Sequence, residues 1–368
     1  MFKPPLRILM GPGPSDVYPQ VLTALGQPTI GHLDPSFIVL MEEVKDLLRY
    51  ALQTKNPLTF PISGPGSAGM ECCIVNLVEP GDKVVVMING VFGARMAELV
   101  KRVGGKLIPI QETWGRPNDP QKLEKIFKKH SDIKLTCMVH AETSTGVLSD
   151  IRALAKISRA HDALVLVDAV TSLAGNELRV DEWGIDALYS GTQKCLSCVP
   201  GLSPVTFNEK AMQKIKKRKT PVPSWFFDLN LIMDYWQADE GARSYHHTAP
   251  VNSIYALHTA LCLLKKEGLE NSWRRHQENH DYLKTHLEKR GIAFLVAEKA
   301  RLPQLNAVLI PAAYDDQRTR AILLEKYHLE IGAGLGELAG KIWRVGLMGH
   351  SCNKENIDIL LYALAGIV

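Results

Sequence analysis

The sequence of 368 residues has no apolar run near the roughly 20 residues needed to cross a bilayer, so no membrane span is expected. Its first residues, Met1-Phe2-Lys3-Pro4-Pro5, lack the continuous apolar core of a secretory signal. Its last four, Ala365-Gly366-Ile367-Val368, do not form a Ser-Lys-Leu type peroxisomal address. Excess charge is scarce: 43 basic against 39 acidic residues leave a formal +4, little for a protein that holds nucleic acid. Cysteine is sparse too. Seven scattered residues leave at least one thiol free, which fits a reducing compartment better than a disulfide framework. There is no internal repeat and no long linker. With 46% apolar and 22% charged residues the chain is not disordered. At this length folding buries roughly three quarters of the unfolded surface, so no disulfide or metal staple is required. What remains is a cytoplasmic, enzyme-sized protein with neither nucleic acid nor membrane expected among its partners.

The positive signals are those of an α/β protein. Val84–Ile88, Leu107–Ile110, Leu135–Val139 and Leu164–Val167 are short apolar runs rich in β-branched residues, as strands buried on both faces should be. Helical patterns such as Ser36–Leu52 and Ile151–His161 lie between them, so a mostly parallel sheet with helices on both faces is expected. Ile254, Leu257, Leu261 and Leu264 mark one face of a helix that stops at Gly268. Beyond it, Ala293–Val296, Ala307–Ile310 and Ile342–Val345 read as strands of a smaller α+β unit. The expected division is an extended arm over residues 1–20, a large domain over 21–265 and a small C-terminal domain over 266–368, the last two packed together.

Four features carry chemistry. Ser190-Gly191-Thr192-Gln193-Lys194 follows a strand-like Ala187-Leu188-Tyr189. A lysine desolvated there can lose its charge and become a nucleophilic amine, although most lysines after a strand are solvated. Asp168 ends a buried strand, where open α/β sheets place ligands; capping the next helix is the plainer role. Ser63-Gly64-Pro65-Gly66-Ser67 precedes a helix whose N–H groups could hold a phosphate, or it is a simple turn; no Gly-Lys-Ser/Thr follows, so it is not a Walker loop. Arg344 sits in the apolar strand Trp343–Leu347 and needs either an ion-pair partner or an anionic ligand. A lysine, an aspartate, a phosphate cradle and a carboxylate clamp are together the set that pyridoxal phosphate chemistry requires.

On these residues, and on Met10–Ser15, His140–Gly146, Val167–Ser172, Tyr189–Lys194 and Tyr245–Pro250, the chain resembles the alanine–glyoxylate aminotransferase family of the type I pyridoxal-phosphate fold, over almost its whole length. The resemblance implies that Lys194 bonds the cofactor and shuttles the proton, and that Asp168 binds the pyridine nitrogen. It implies that Phe92 stacks on the ring and that Ser144 contacts its phenolic oxygen. Gly66, Ser67 and Gln193 would reach the phosphate, with Tyr245 and Thr248 completing that site from a neighbouring subunit. Arg344 would take the substrate carboxylate. A homodimer with shared sites follows. The implied reaction moves an amino group from alanine or serine to glyoxylate or pyruvate by a ping-pong scheme. A kynurenine-type transaminase and a non-catalytic regulatory protein on the same scaffold are the alternatives.

The chain departs from the family in three places. Pro65 stands where a small hydroxylated residue is common and has no N–H to donate. Phe92 replaces a tryptophan, and Thr192 a serine. A cysteine desulfurase is disfavoured, because Cys352, the one cysteine after residue 262, directly follows the arginine strand. Cys195 and Cys198 lack the further ligands of a zinc site and read as small buried residues. Adjacent His246 and His247 are expected to point apart. Gly332–Gly336 reads as a flexible loop, and the basic run from Lys214 to Lys219 as a solvated face.

Overall fold

The computed structural model describes residues 2–236 and 243–367. Its centre is a seven-stranded sheet in the order Leu58–Ser63, Leu202–Phe207, Ala187–Tyr189, Leu164–Asp168, Ile133–Val139, Lys83–Ile88, Lys106–Gln111. Leu202–Phe207 runs antiparallel to both its neighbours; every other pair is parallel. Leu164–Asp168 is buried at all five positions, which explains its unbroken apolar run: helices cover both faces, so no residue has solvent to meet.

The helices start where the sequence supplies caps. Asp34 accepts from Ser36 N at 2.8 Å with Pro35 in the first turn, and Asp150 accepts from Ala153 N at 3.0 Å. In the helix Ile151–Ala160 the buried residues are Ile151, Leu154, Ala155 and Ser158, one stripe at steps of three, one and three. The helix Val251–Glu267 ends at Gly268, whose φ of 87° a side chain would resist.

A second, three-stranded antiparallel sheet pairs Ile342–Gly346 with Leu305–Leu309 on one side and Gly332–Ala333 on the other. It has its own apolar cluster, including Trp343, Val345, Leu283 and Leu360, while Leu302 and Leu305 join the cluster of the large sheet. The N-terminal stretch is anchored here: Ile8–Leu9 pairs in parallel with Leu329–Glu330, and Met10 is buried in the smaller cluster.

Three expectations are corrected. Ala293–Val296 is not a strand. Phe294 makes an isolated bridge to Val308, and the Val296 carbonyl accepts from Arg301 Nε at 2.9 Å in place of a ladder partner. Gly332–Ala333 is a strand rather than a flexible loop, because it supplies the second edge for Arg344 and Trp343. The basic run is not wholly solvated: Lys214 bonds Asp82 at 2.7 Å, and Arg218 Nη1 donates to the carbonyls of Asn76 and Val78, both at 2.9 Å.

Candidate active site

Lys194 lies in the turn after Ala187–Tyr189, not on the strand itself. Its carbonyl accepts from Ser15 Oγ at 2.7 Å and from Ser197 N at 3.0 Å. The residue is 9% exposed, and its Nζ donates to the Pro12 carbonyl. Burial lowers the amine to about 8; Arg344 pushes the same way, while Cys195 and Asp168 oppose it. Space around the amine is tight. A Cβ at Gly13, where φ is +101°, would stand 2.6 Å from Nζ.

Asp168 ends its strand at the C-terminal edge of the sheet, buried, with Oδ1 accepting from Val170 N at 2.8 Å and Oδ2 from Tyr189 OH at 2.7 Å. Burial raises its carboxyl to about 6 and Glu142 adds to this; Tyr189, Val170 and Lys194 pull it down. The parallel ladder sets this geometry by placing Asp168 opposite Tyr189.

Phe92 is held by a carboxylate that sequence reasoning did not single out. Glu142 is fully buried at the start of the helix Val91–Arg102 and accepts from the amides of Phe92 at 3.2 Å and Gly93 at 3.3 Å. An anion at a helix N-terminus is favoured by the free N–H groups there. Burial still raises its carboxyl. Ser144 belongs to the same knot: its hydroxyl donates to Glu142 Oε1 at 2.6 Å and accepts from Val91 N at 3.0 Å. One lone pair is left for any further contact.

The phosphate cradle is the start of the helix Gly66–Leu77. Its N-cap is Pro65, and the first backbone bonds run from Ala68 N and Gly69 N back to the Pro65 carbonyl. Among the described residues the amides of Gly66 and Ser67 have no backbone partner, so the start of a twelve-residue helix keeps two open donors. Gln193 is adjacent in the chain to Lys194 and keeps a buried Oε1 with no partner. Arg95, also missed from sequence, donates from Nη1 to Ser67 Oγ at 3.1 Å and lies 5.2 Å from the Phe92 ring centroid.

Arg344 is buried with its Nε donated to the Ala333 carbonyl at 2.7 Å and Nη1 to the Thr143 carbonyl at 3.4 Å. No carboxylate pairs with it among the described residues. Burial lowers its guanidinium to about 10, partly offset by Glu142. A desolvated cation held by neutral carbonyls lacks the anion that would compensate its burial.

Tyr245 and Thr248 are exposed, Tyr245 by 63%, and they make no side-chain bond to the residues above among the described ones. Between them, His246 and His247 do not diverge as expected: their Nδ1 atoms are 2.8 Å apart with the rings near perpendicular. Irregular backbone at this point frees them from strand alternation. His247 Nε2 is 2.7 Å from Ser63 Oγ, which ties the segment to the strand leading into the phosphate cradle.

Open amides at a helix start, an unpartnered glutamine oxygen, an unpaired arginine and a lysine of lowered pKa beside a carboxylate fit pyridoxal phosphate and an amino acid. The class is therefore the pyridoxal-phosphate transferases of fold type I. Comparison narrows it. The family model for aminotransferase class-V matches residues 14–358. An alanine–glyoxylate aminotransferase from Callithrix jacchus is 39% identical over 361 residues, 98% of this chain and 87% of the relative. The crystal structure of an alanine–glyoxylate aminotransferase from Nostoc sp. is 44% identical with a TM-score of 0.96, covering 100% of this chain and 96% of that one. The ureidoglycine–glyoxylate aminotransferase structure from Bacillus subtilis is 37% identical with a TM-score of 0.95, covering 100% and 94%. The chain belongs to the class-V aminotransferase family, and it is a pyridoxal-phosphate-dependent transaminase.

Proposed function

We propose that this protein transfers the amino group of alanine, or of serine, to glyoxylate, or to pyruvate, in two half-reactions at one site. The observation that carries the reading is Lys194: its buried amine, lowered to about 8, senses both Arg344 and Asp168. Glyoxylate as acceptor is supported by both kinds of relative, whose names share it and differ in the donor.

Pyridoxal phosphate, when bound, supplies an aldehyde carbon and a ring that accepts the electron pair released at the substrate Cα. Lys194 Nζ, able to shed its proton near neutrality, would take up the proton released at the substrate Cα and hold it for return. Asp168 keeps a proton on the pyridine nitrogen by placing a carboxylate beside it. Gly66 and Ser67 donate backbone N–H groups to the phosphate, and the Gln193 amide turns toward it. Phe92, fixed from behind by Glu142, gives the ring a flat apolar face. Ser144 would donate to the phenolic oxygen by turning its hydroxyl away from Glu142 Oε1. Arg344 binds the substrate carboxylate with the guanidinium edge that no acid occupies among the described residues.

Tyr245 and Thr248 serve a neighbouring subunit's phosphate site, and the protein is a homodimer; their exposure beside exposed Trp225 and Leu33 supports this. Sedimentation equilibrium should give twice the 40.8 kDa chain mass. The division into residues 1–20, 21–265 and 266–368 is supported by the two main apolar clusters. A cytoplasmic setting is supported by seven free thiols.

The test is spectroscopic. Purified protein loaded with cofactor should show a visible band that alanine bleaches and glyoxylate restores. Lys194→Ala should lose the lysine-bound band and slow turnover by about 10²–10⁴; a variant that kept full turnover would remove the assignment.

A further inference from the structure

The lysine sits in a turn that follows a strand of the large sheet and the arginine in a strand of the small one, so neither sheet's own ladder sets the distance between them. The segment Met10–Asp16 touches both. Toward the arginine, Gly346 N donates to the Met10 carbonyl at 2.7 Å, two residues past Arg344. A Cβ on Gly346 would run into the Gly11 carbonyl, so this approach requires glycine. Toward the lysine, Ser15 N donates to the Gln193 carbonyl at 2.9 Å and Ser15 Oγ to the Lys194 carbonyl at 2.7 Å, while Lys194 Nζ donates to Pro12.

Asp16 closes the segment onto the loop behind the arginine strand. Its N–H donates to Ser351 Oγ at 3.0 Å, and Ser351 Oγ donates back to its Oδ2 at 3.1 Å. Its carboxylate also accepts from Leu9 N at 3.3 Å. Ser15 and Ser351 are 2% and 1% exposed and Asp16 is half-buried, so the serine hydroxyls are shielded from water on their side of these bonds. A second tie, His350 N to Ser197 Oγ at 2.7 Å, joins the same loop to the lysine turn.

We propose that Ser15 and the Asp16–Ser351 pair are positioning residues for transamination: Ser15 holds the backbone that carries the lysine amine, and Asp16 with Ser351 sets where the arginine strand stands relative to it. This rests on the roles of Lys194 and Arg344 proposed above. The two parts have separable consequences. Loss of the Asp16–Ser351 bonds leaves the lysine turn intact and loosens the carboxylate clamp, so KM rises for the amino acid and the oxo acid alike. Loss of the Ser15 hydroxyl disturbs the proton-transferring amine, so kcat falls.

The experiment compares Ser15→Ala, Ser351→Ala, Asp16→Asn and the Asp16→Asn/Ser351→Ala pair as loaded enzymes, with alanine and glyoxylate. Ser351→Ala and Asp16→Asn should each raise KM about tenfold with kcat nearly unchanged, and the pair should do little more than either alone. Ser15→Ala should lower kcat about tenfold with KM nearly unchanged. A second readout needs no turnover. Reductive methylation of the cofactor-free protein, followed by mass spectrometry, should show an altered labelling rate at Lys194 in Ser15→Ala and an unaltered one in Ser351→Ala. The proposal is overturned if all variants lose thermal stability alone, or if Ser15→Ala and Ser351→Ala shift kcat and KM in the same pattern. Failure of the underlying reading is distinguishable: Lys194→Ala would then stay active, while the labelling comparison would still report on Ser15.

Discussion

Tyr189 and Asp168 face each other across the parallel ladder, and the Tyr189 hydroxyl donates to Asp168 Oδ2 at 2.7 Å inside a fully buried pocket. Two opposing effects meet at this carboxyl. Burial raises it, the tyrosine hydroxyl, which bonds the ionised form, draws it back, and the balance leaves it at about 6.

Tyr189→Phe removes the downward pull, so Asp168 should stay protonated to higher pH. Cofactor affinity of the empty protein should weaken as pH falls, because a neutral acid cannot hold the protonated pyridine nitrogen. In the variant this weakening should begin about one unit higher than in the parent. Titration of cofactor binding by protein fluorescence at several pH values checks it; superimposable curves would show that the hydroxyl does not tune Asp168.

Gly13→Ala places a methyl group 2.6 Å from Lys194 Nζ and 2.7 Å from its Cδ, at a φ of +101° that disfavours any side chain. Both the lysine and the arm must shift. Turnover should fall by about 10² for a displacement near 1 Å, and the melting temperature should drop as well. Steady-state kinetics with calorimetry would reveal a neutral substitution at once.

Arg95→Ala should weaken cofactor binding about tenfold, since the guanidinium beside Ser67 stands next to the open amides that would face a dianionic phosphate. Inorganic phosphate, which lacks the ring, should protect the parent against heat more than the variant. Equal protection of both proteins would place Arg95 outside the phosphate field.

Acid stability should depend on His276. It is fully buried, accepts from Gly349 N at 3.0 Å, and is lowered by that burial to about 3. Between its ordinary value near 6.5 and about 3 the unfolded chain binds the proton and the folded chain does not, so stability falls as pH falls through that window. His140, buried and lowered to about 4, acts in the same direction, whereas Asp168, raised from 3.8 to about 6, binds its proton first in the folded chain and opposes it between those two values. His276→Gln should lower stability near neutrality and flatten the acid slope relative to the parent, measured by denaturant unfolding at several pH values.

Much of the site was legible because chain order keeps its key groups in local motifs. Lys194 follows Gln193 in one turn, and Asp168 ends a run of four apolar residues. What escaped were partners whose meaning lies in space. Glu142 sat inside a recognised motif, yet its bonds to Phe92 and Gly93 span 50 and 49 positions. Pro12 and Ala333 act through backbone carbonyls, which every residue has and no side chain advertises. Arg95 belongs to no motif, and its place beside the helix start comes only from Ser67, 28 positions away.

The sequence by itself determined the strand and helix alternation, the chemical kinds of group available, and the family, since each is written in short contiguous stretches. The tertiary structure decided which of those groups meet. It brought the Pro12 carbonyl to the Lys194 amine across 182 positions, and it set Arg344 between two carbonyls with no acid paired to it among the described residues. Such meetings depend on how two sheets and one N-terminal segment pack, and packing is a property of the whole folded chain, which no local pattern of residues encodes.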